Sequence, residues 1–173
     1  ALVLSAETLT AQRLADLHAL GGAPTVAISA RRAATLNARP YDGDLARILL
    51  PADAGLVWVR GVADPADDLR TPMKGPLVSE REGPADLHRL ALGLTKSARL
   101  LPAAVVLPLA EAAAFAQAQG LTAVDAVAAA PLLEEGSPLH PVVSARLPLE
   151  VSEAGRLHVF RPEDGGEEHY AIE

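Results

Sequence analysis

The chain has no cysteine among its 173 residues. That removes disulfide frameworks, thiolate zinc sites and cysteine nucleophiles together. Aromatic residues are only 3% of the chain, yet half of all residues are hydrophobic. The core must therefore be built from Ala, Leu and Val, and small aliphatic side chains suit helices packed closely on a sheet. No apolar run reaches the roughly 18 residues that a membrane-spanning helix needs. Basic residues are also in deficit: 15 Lys plus Arg stand against 22 Asp plus Glu, a net charge of −7. A general nucleic-acid binder needs a basic stripe to displace counterions, so neither nucleic acid nor an anionic membrane is expected as a partner. The balance suits a soluble protein, and the lack of cysteine is compatible with the cytoplasm, the expected location.

What is present is a rhythm of short apolar runs and helical stretches. Ala1–Ser5 reads as a strand entered without introduction, since no initiator Met or signal pattern precedes it. Thr10 is placed to cap a helix through Leu20, with Leu14, Leu17 and Leu20 on one face and Gly21-Gly22 as the stop. Thr25–Ser29 is a second strand and Arg31–Leu36 a short helix. This order predicts parallel pairing through a right-handed crossover. Ile48–Leu50 and Leu56–Arg60 read as further strands. Residues 62–84 form a long loop with prolines at 65, 72, 76 and 84. Pro84 then opens a helix to about Leu100, with Leu87, Leu90 and Leu94 expected to face a sheet. Ala103–Leu109 is apolar throughout, as for a central parallel strand covered on both sides. Glu111–Gln119 is a helix closed by Gly120, Thr122 caps a shorter one to Ala130, and residues 131–141 form a linker.

The last thirty residues read differently. Arg156–Arg161 and Glu167–Ile172 flank Pro162-Glu163-Asp164-Gly165-Gly166, and Asp-Gly between alternating runs signals a β-hairpin. A hairpin ending on an open edge predicts that another domain follows. The expected fold is thus α/β: a mixed, largely parallel sheet with flanking helices over 1–141, then a C-terminal β-hairpin over 142–173.

Three stretches carry a resemblance. Ala145-Arg146-Leu147-Pro148, the strand ending Phe160-Arg161 and the run Asp164–Ile172 resemble the opening of the GTP cyclohydrolase II domain of riboflavin biosynthesis. The stretches Asp67–Leu77 and Ala98–Val106 are similar to a loop and a helix-to-strand junction in the long alphaproteobacterial form of that enzyme. In bifunctional relatives the upstream domain is a dihydroxybutanone phosphate synthase, and residues 1–33 distantly resemble its middle portion. The resemblance implies a degenerate synthase-like domain followed by the first hairpin of a truncated cyclohydrolase domain. It also implies a parent that is a zinc hydrolase, converting GTP to a diaminopyrimidine ribosyl phosphate, formate and pyrophosphate. The zinc would belong to the missing catalytic domain, and no cofactor is expected in this stretch.

Where the synthase carries Gly-His-Thr-Glu, this chain reads Pro84-Ala85-Asp86-Leu87-His88-Arg89, and where it carries a glutamate in the next strand, this chain has Pro108. Without clustered carboxylates Mg²⁺ lacks hard oxygen ligands, and a sugar phosphate lacks a general base. No catalytic residue and no metal ligand is expected, and this piece alone is predicted to be inactive. Its expected role is as a scaffold for its own missing catalytic domain, aided by homodimerisation that covers apolar surface. Ligand-binding candidates are Arg70 and Lys74, cations on a proline-stiffened loop before a helix, and His88 near its start. They define one alternative, a regulatory module for a phosphorylated ligand. The other is a metal-dependent sugar-phosphate synthase using Asp42, Asp44 and Glu80. His158 and His169 are expected as a structural cross-strand pair.

Overall fold

A computed structural model describes residues 1–72, 74–135, 138–151, 153–163 and 165–173, without the side chains of 67, 134 and 135. Met73, Asp164 and the Asp67 side chain, which enter the readings above, lie outside what is described. The chain divides into two units, Ala1–Leu133 and Glu134–Glu173.

In the first unit β1 (Leu2–Ser5), β2 (Thr25–Ser29), β3 (Leu45–Leu49) and β4 (Ala103–Leu107) form one sheet in the order β1-β4-β2-β3. Every neighbouring pair is antiparallel, which corrects the parallel sheet expected from the sequence. The crossover from β1 to β2 does keep the two strands running the same way. They are not neighbours, because β4 enters between them from the opposite end. An antiparallel strand buried on both faces gives the same continuous apolar run as a parallel one, and all five residues of β4 are buried.

Helices cover both faces. Leu14 and Leu17 of α1 (Ala11–Ala19), Ala33 of α2 (Ala30–Thr35) and Val59, Val62 and Ala63 of α3 (Leu56–Ala63) pack on Val26, Ile28, Ile48 and Val105. On the other face, Ala91 and Leu92 of α4 (Asp86–Ser97) pack on Ala27, Leu45, Ala104 and Val106. The result is three layers, helix on sheet on helix. Thr10 caps α1 by accepting the Arg13 N–H at 3.2 Å.

Three local expectations change. Leu56–Arg60 is helical rather than extended, since Val59, Val62 and Ala63 at helical spacing meet the core. The sheet-facing side of α4 is His88, Ala91, Leu92 and Thr95 rather than the leucines at 87, 90 and 94. Small and polar residues let the helix lie close to the sheet, while Leu133 of α6 (Ala126–Glu135) fits against Gly93 on this helix. Asp125, not Thr122, caps α6, accepting the Val127 and Ala128 N–H groups at 2.9 Å. That helix continues through Pro131. A further short helix, α5, spans Ala112–Ala118.

The second unit is a three-stranded antiparallel sheet, β5 (Leu139–Arg146), β6 (Arg156–Pro162) and β7 (His169–Ile172), in that order. The expected hairpin is β6–β7; residues 139–141, expected as linker, belong to a third strand. Gly165 takes φ of 75° in the turn, the left-handed region glycine enters freely.

Candidate functional site

The loop carrying Arg70 and Lys74 is anchored from α2. Ser29 caps that helix and accepts the Arg32 N–H at 3.2 Å. The buried Arg32 side chain reaches the last turn of α3. There its Nε donates to Val62 O at 2.8 Å and its Nη2 to Gly61 O at 2.8 Å and Asp64 O at 3.2 Å. A cation on the orphan carbonyls of a helix C-terminus satisfies them and complements the dipole. The same guanidinium donates twice to Asp68, at 2.6 and 2.7 Å, in the bidentate geometry that favours arginine. Lys74 adds a second cation to that carboxylate. Arg32 first, and Lys74 after it, hold the Asp68 carboxyl well below the usual carboxylate range. Trp58 closes the loop by donating its indole N–H to Lys74 O at 3.1 Å. Of the two candidate cations, Lys74 is therefore buried in an ion pair, while Arg70 is exposed.

The acidic residues of the metal-enzyme alternative divide between two arginines. Arg47, in the middle of β3 and almost fully buried, donates to Asp42 at 2.8 and 3.0 Å and to Glu80 at 3.0 Å. Its remaining hydrogens reach Glu82 O at 2.9 Å and Gly83 O at 3.3 Å. Asp42 and Glu80 thus converge on a guanidinium. Asp44 is separate, held by Arg89 of α4 through two bonds of 2.9 Å. Among the described residues no three His, Asp or Glu side chains lie close enough to hold a metal ion. With cysteine absent as well, the residues present do not fit the zinc that the resemblance implies for the parent.

His88 sits under α4, buried, with Nε2 2.9 Å from Thr25 Oγ1 and no hydrogen-bond partner at Nδ1. Its pKa is lowered to about 4, chiefly by burial and then by the nearby Arg47 charge, with Asp42 opposing both. His88 is thus a buried imidazole, neutral at pH 7, with one ring nitrogen hydrogen-bonded.

A shallow cleft of about 410 Å³ lies where β1 ends and β4 begins, lined by Glu7, Asp64, Arg99, Leu100, Leu101 and Pro102. Glu7 accepts the Leu101 N–H at 2.6 Å, and Arg99 holds a left-handed φ of 57° at the end of α4. The other histidines are dispersed. His18 lies 3.3 Å from Ala54 O, His140 meets Glu163 at 2.6 Å and His158 meets Glu173 at 3.1 Å. His158 stands opposite Ala171 and His169 opposite Phe160, so they are diagonal neighbours rather than a facing pair.

The class defined by these observations is a three-layer α/β domain on an antiparallel sheet, its charges gathered around buried arginines, joined to a small β unit. The chain is 33% identical over 166 residues to a protein named GTP cyclohydrolase-2 from Azospirillum brasilense, a match covering 93% of this chain and 43% of that protein. So much of the chain is matched that both units must contribute. The likeness supports the cyclohydrolase resemblance drawn from the sequence, and the chain spans less than half the length of the relative it matches. No family model matches the chain. No solved structure matches it. Among the described residues no helix is long and apolar enough to cross a membrane.

Proposed function

We propose that the chain is the amino-terminal, non-catalytic part of a GTP cyclohydrolase II-type protein of riboflavin biosynthesis, acting in the cytoplasm as a scaffold for the catalytic domain. The parent reaction would open the imidazole ring of GTP, with formate and pyrophosphate released, at a zinc held by the part outside this chain. The observation that carries the reading is the likeness to the Azospirillum cyclohydrolase, which runs through both units. The scaffold role draws support from the state of the acidic side chains. Asp42 and Glu80 are occupied by Arg47, Asp44 by Arg89, and Asp68 by Arg32 and Lys74. Carboxylates committed to guanidinium groups are poor general bases and poor Mg²⁺ ligands unless the ion pairs are broken.

The test is twofold. The longer protein read from the same gene should release formate from GTP, whereas the isolated chain should not. Isothermal calorimetry of the isolated chain with GTP, ribulose phosphate and flavin nucleotides should show no binding heat. Heat that Arg70→Ala and Lys74→Ala abolish would establish the phosphorylated-ligand module instead. Magnesium-dependent turnover of a pentose phosphate would establish the synthase.

A further inference from the structure

Among the described residues, four helix ends of the first unit turn into the left-handed region, and three do so in the ordinary way. Gly21 after α1 has φ of 72°, Gly120 after α5 has 62° and Asn37 after α2 has 54°. Glycine and asparagine adopt this conformation at least cost. The fourth is Arg99, which follows α4 with φ of 57°. Its backbone closes the helix as a glycine would: the Arg99 N–H donates to Lys96 O and the Leu100 N–H to Thr95 O, both at 2.9 Å. The helix dipole does not account for an arginine there, since Lys96 already places a cation in the last turn. The strain marks a position whose side chain serves something other than the turn.

Arg99 lines the cleft of about 410 Å³ at the end of β1, a volume in the lower part of the roughly 300–1,000 Å³ that small-molecule sites occupy. A recess of about 260 Å³ shares Glu7, Asp64 and Leu101 with it and adds Arg60 of α3. Two carboxylates and two guanidinium groups thus border one hollow, carried by the turn after β1, by α3 and its end, and by the end of α4. Glu7 Oε2 accepts the Leu101 N–H at 2.6 Å and Asp64 Oδ1 the Ala66 N–H at 2.8 Å, and a carboxylate can accept several such bonds. Arg60 reaches across to Leu9 O at 3.4 Å. Arg99 also has a partner within the chain; its five N–H donors can serve that partner and a ligand together.

We propose that this hollow binds a small zwitterion, an α-amino acid with an apolar side chain. The ligand carboxylate meets the Arg99 guanidinium, whose fork suits it. The ammonium meets Glu7 and Asp64, and the side chain lies on Leu100, Leu101 and Pro102. A ligand of a single charge sign is repelled by half of the groups around the hollow, whereas a zwitterion answers both halves. The site is independent of the scaffold reading and asks nothing of any part outside this chain.

The test is a titration of residues 1–173 with L-leucine, followed by ¹H–¹⁵N NMR. L-Leucine should shift the amides of Glu7, Asp64 and Leu101 saturably, with a Kd of about 1–10 mM as befits an open cleft. Isocaproate, which lacks the amine, and isoamylamine, which lacks the carboxylate, should each bind about tenfold more weakly or worse. Arg99→Gly relieves the backbone and removes the guanidinium. It should raise the melting temperature by about 2–4 °C and abolish binding, a combination that a purely structural arginine does not give. Glu7→Gln, which keeps an oxygen for the Leu101 N–H, should weaken binding about tenfold with folding unchanged. The proposal is overturned by the absence of saturable shifts at these amides, by equal binding of either half-ligand, or by undiminished binding in Arg99→Gly or Glu7→Gln. An Arg99→Gly protein that melts lower also sinks it, because the arginine would then be holding the fold.

Discussion

Arg32 and Asp68 are joined by two hydrogen bonds, of 2.6 and 2.7 Å, across 36 residues of sequence. The same guanidinium holds three carbonyls at the end of α3. Removing it leaves Asp68 with Lys74 as its one described cation and those carbonyls without their donor. Arg32→Ala should therefore cost about 3–5 kcal/mol, the range for breaking a buried pair from one side. Lys carries no planar fork, so Arg32→Lys should recover little of it. Lys74→Met, which leaves the bidentate pair intact, should cost much less. Urea denaturation of the three variants checks the order.

The same pair predicts a response to acid. Asp68 has its folded pKa depressed, so its contribution is fully present above the unfolded value of about 4 and is lost as pH falls below it. Asp68→Asn should lower stability at neutral pH and flatten the acid limb of the stability curve below about pH 4. Equal slopes for the two proteins in that window would show that the carboxylate is not held as described.

His88 acts in a different window with the same sign. Its folded pKa is lowered to about 4 against an ordinary value near 6.5. On acidification the unfolded chain takes up the proton first, so stability falls between about pH 6.5 and pH 4 and is level below that. The two limits set a loss of about 3 kcal/mol at most. His88→Gln, which keeps an amide in reach of Thr25, should remove most of that slope. A ¹H–¹⁵N titration of the imidazole tests the cause directly: protonation near pH 6.5 in the folded protein would refute it.

These anchors show where the sequence is readable. Helix α1 is legible because its determinants are local: Thr10 to Arg13 for the cap, Leu14 and Leu17 for the buried side. The strands at 1–5, 25–29 and 103–107 are legible as apolar runs, and the β6–β7 turn from its glycines. Sheet direction is not, because the insertion of β4 between β1 and β2 is settled by contacts a hundred residues apart in order of magnitude, and apolar runs look alike in either direction. Helix α4 misleads because Leu87, Leu90 and Leu94 lie off the buried side while His88 and Thr95 turn inward with Ala91 and Leu92. Thr95 Oγ1 is satisfied by Leu92 O at 2.9 Å and His88 Nε2 by Thr25. In the candidate loop, the countercharge on Lys74 is local and readable, but Arg32, which organises the loop, lies in another helix. Arg47 hides likewise in an apolar strand, its acids at 42 and 80 giving no spacing signal.

Arg47 gives a fourth stability test. It is almost wholly buried with two carboxylates on it, so Arg47→Met alone leaves like charges facing each other with no cation between them. That variant should lose about 3–5 kcal/mol. Adding Asp42→Asn and Glu80→Gln removes the stranded charges and should restore a substantial part. If the triple variant is no more stable than Arg47→Met, the arginine matters by packing rather than charge. Thermal melts at matched pH decide between the two.

Gly61 sets two effects against each other. It lies inside α3, where Gly→Ala ordinarily stabilises a helix by about 1 kcal/mol. A Cβ there would stand 2.9 Å from Thr71 Oγ1 and 3.3 Å from Lys74 Cε, closer than side chains tolerate. Overpacking of that kind costs about 1–3 kcal/mol, so the clash should win and Gly61→Ala should lower the melting temperature and open the 68–76 loop to proteolysis. Thr71→Ala in the same background removes the nearest obstacle and should return most of the loss. Gly55→Ala, with nothing within 4 Å of the added carbon, should leave loop cleavage unchanged. Should Gly61→Ala instead raise the melting temperature, the loop does not pack on α3 as closely as these distances require.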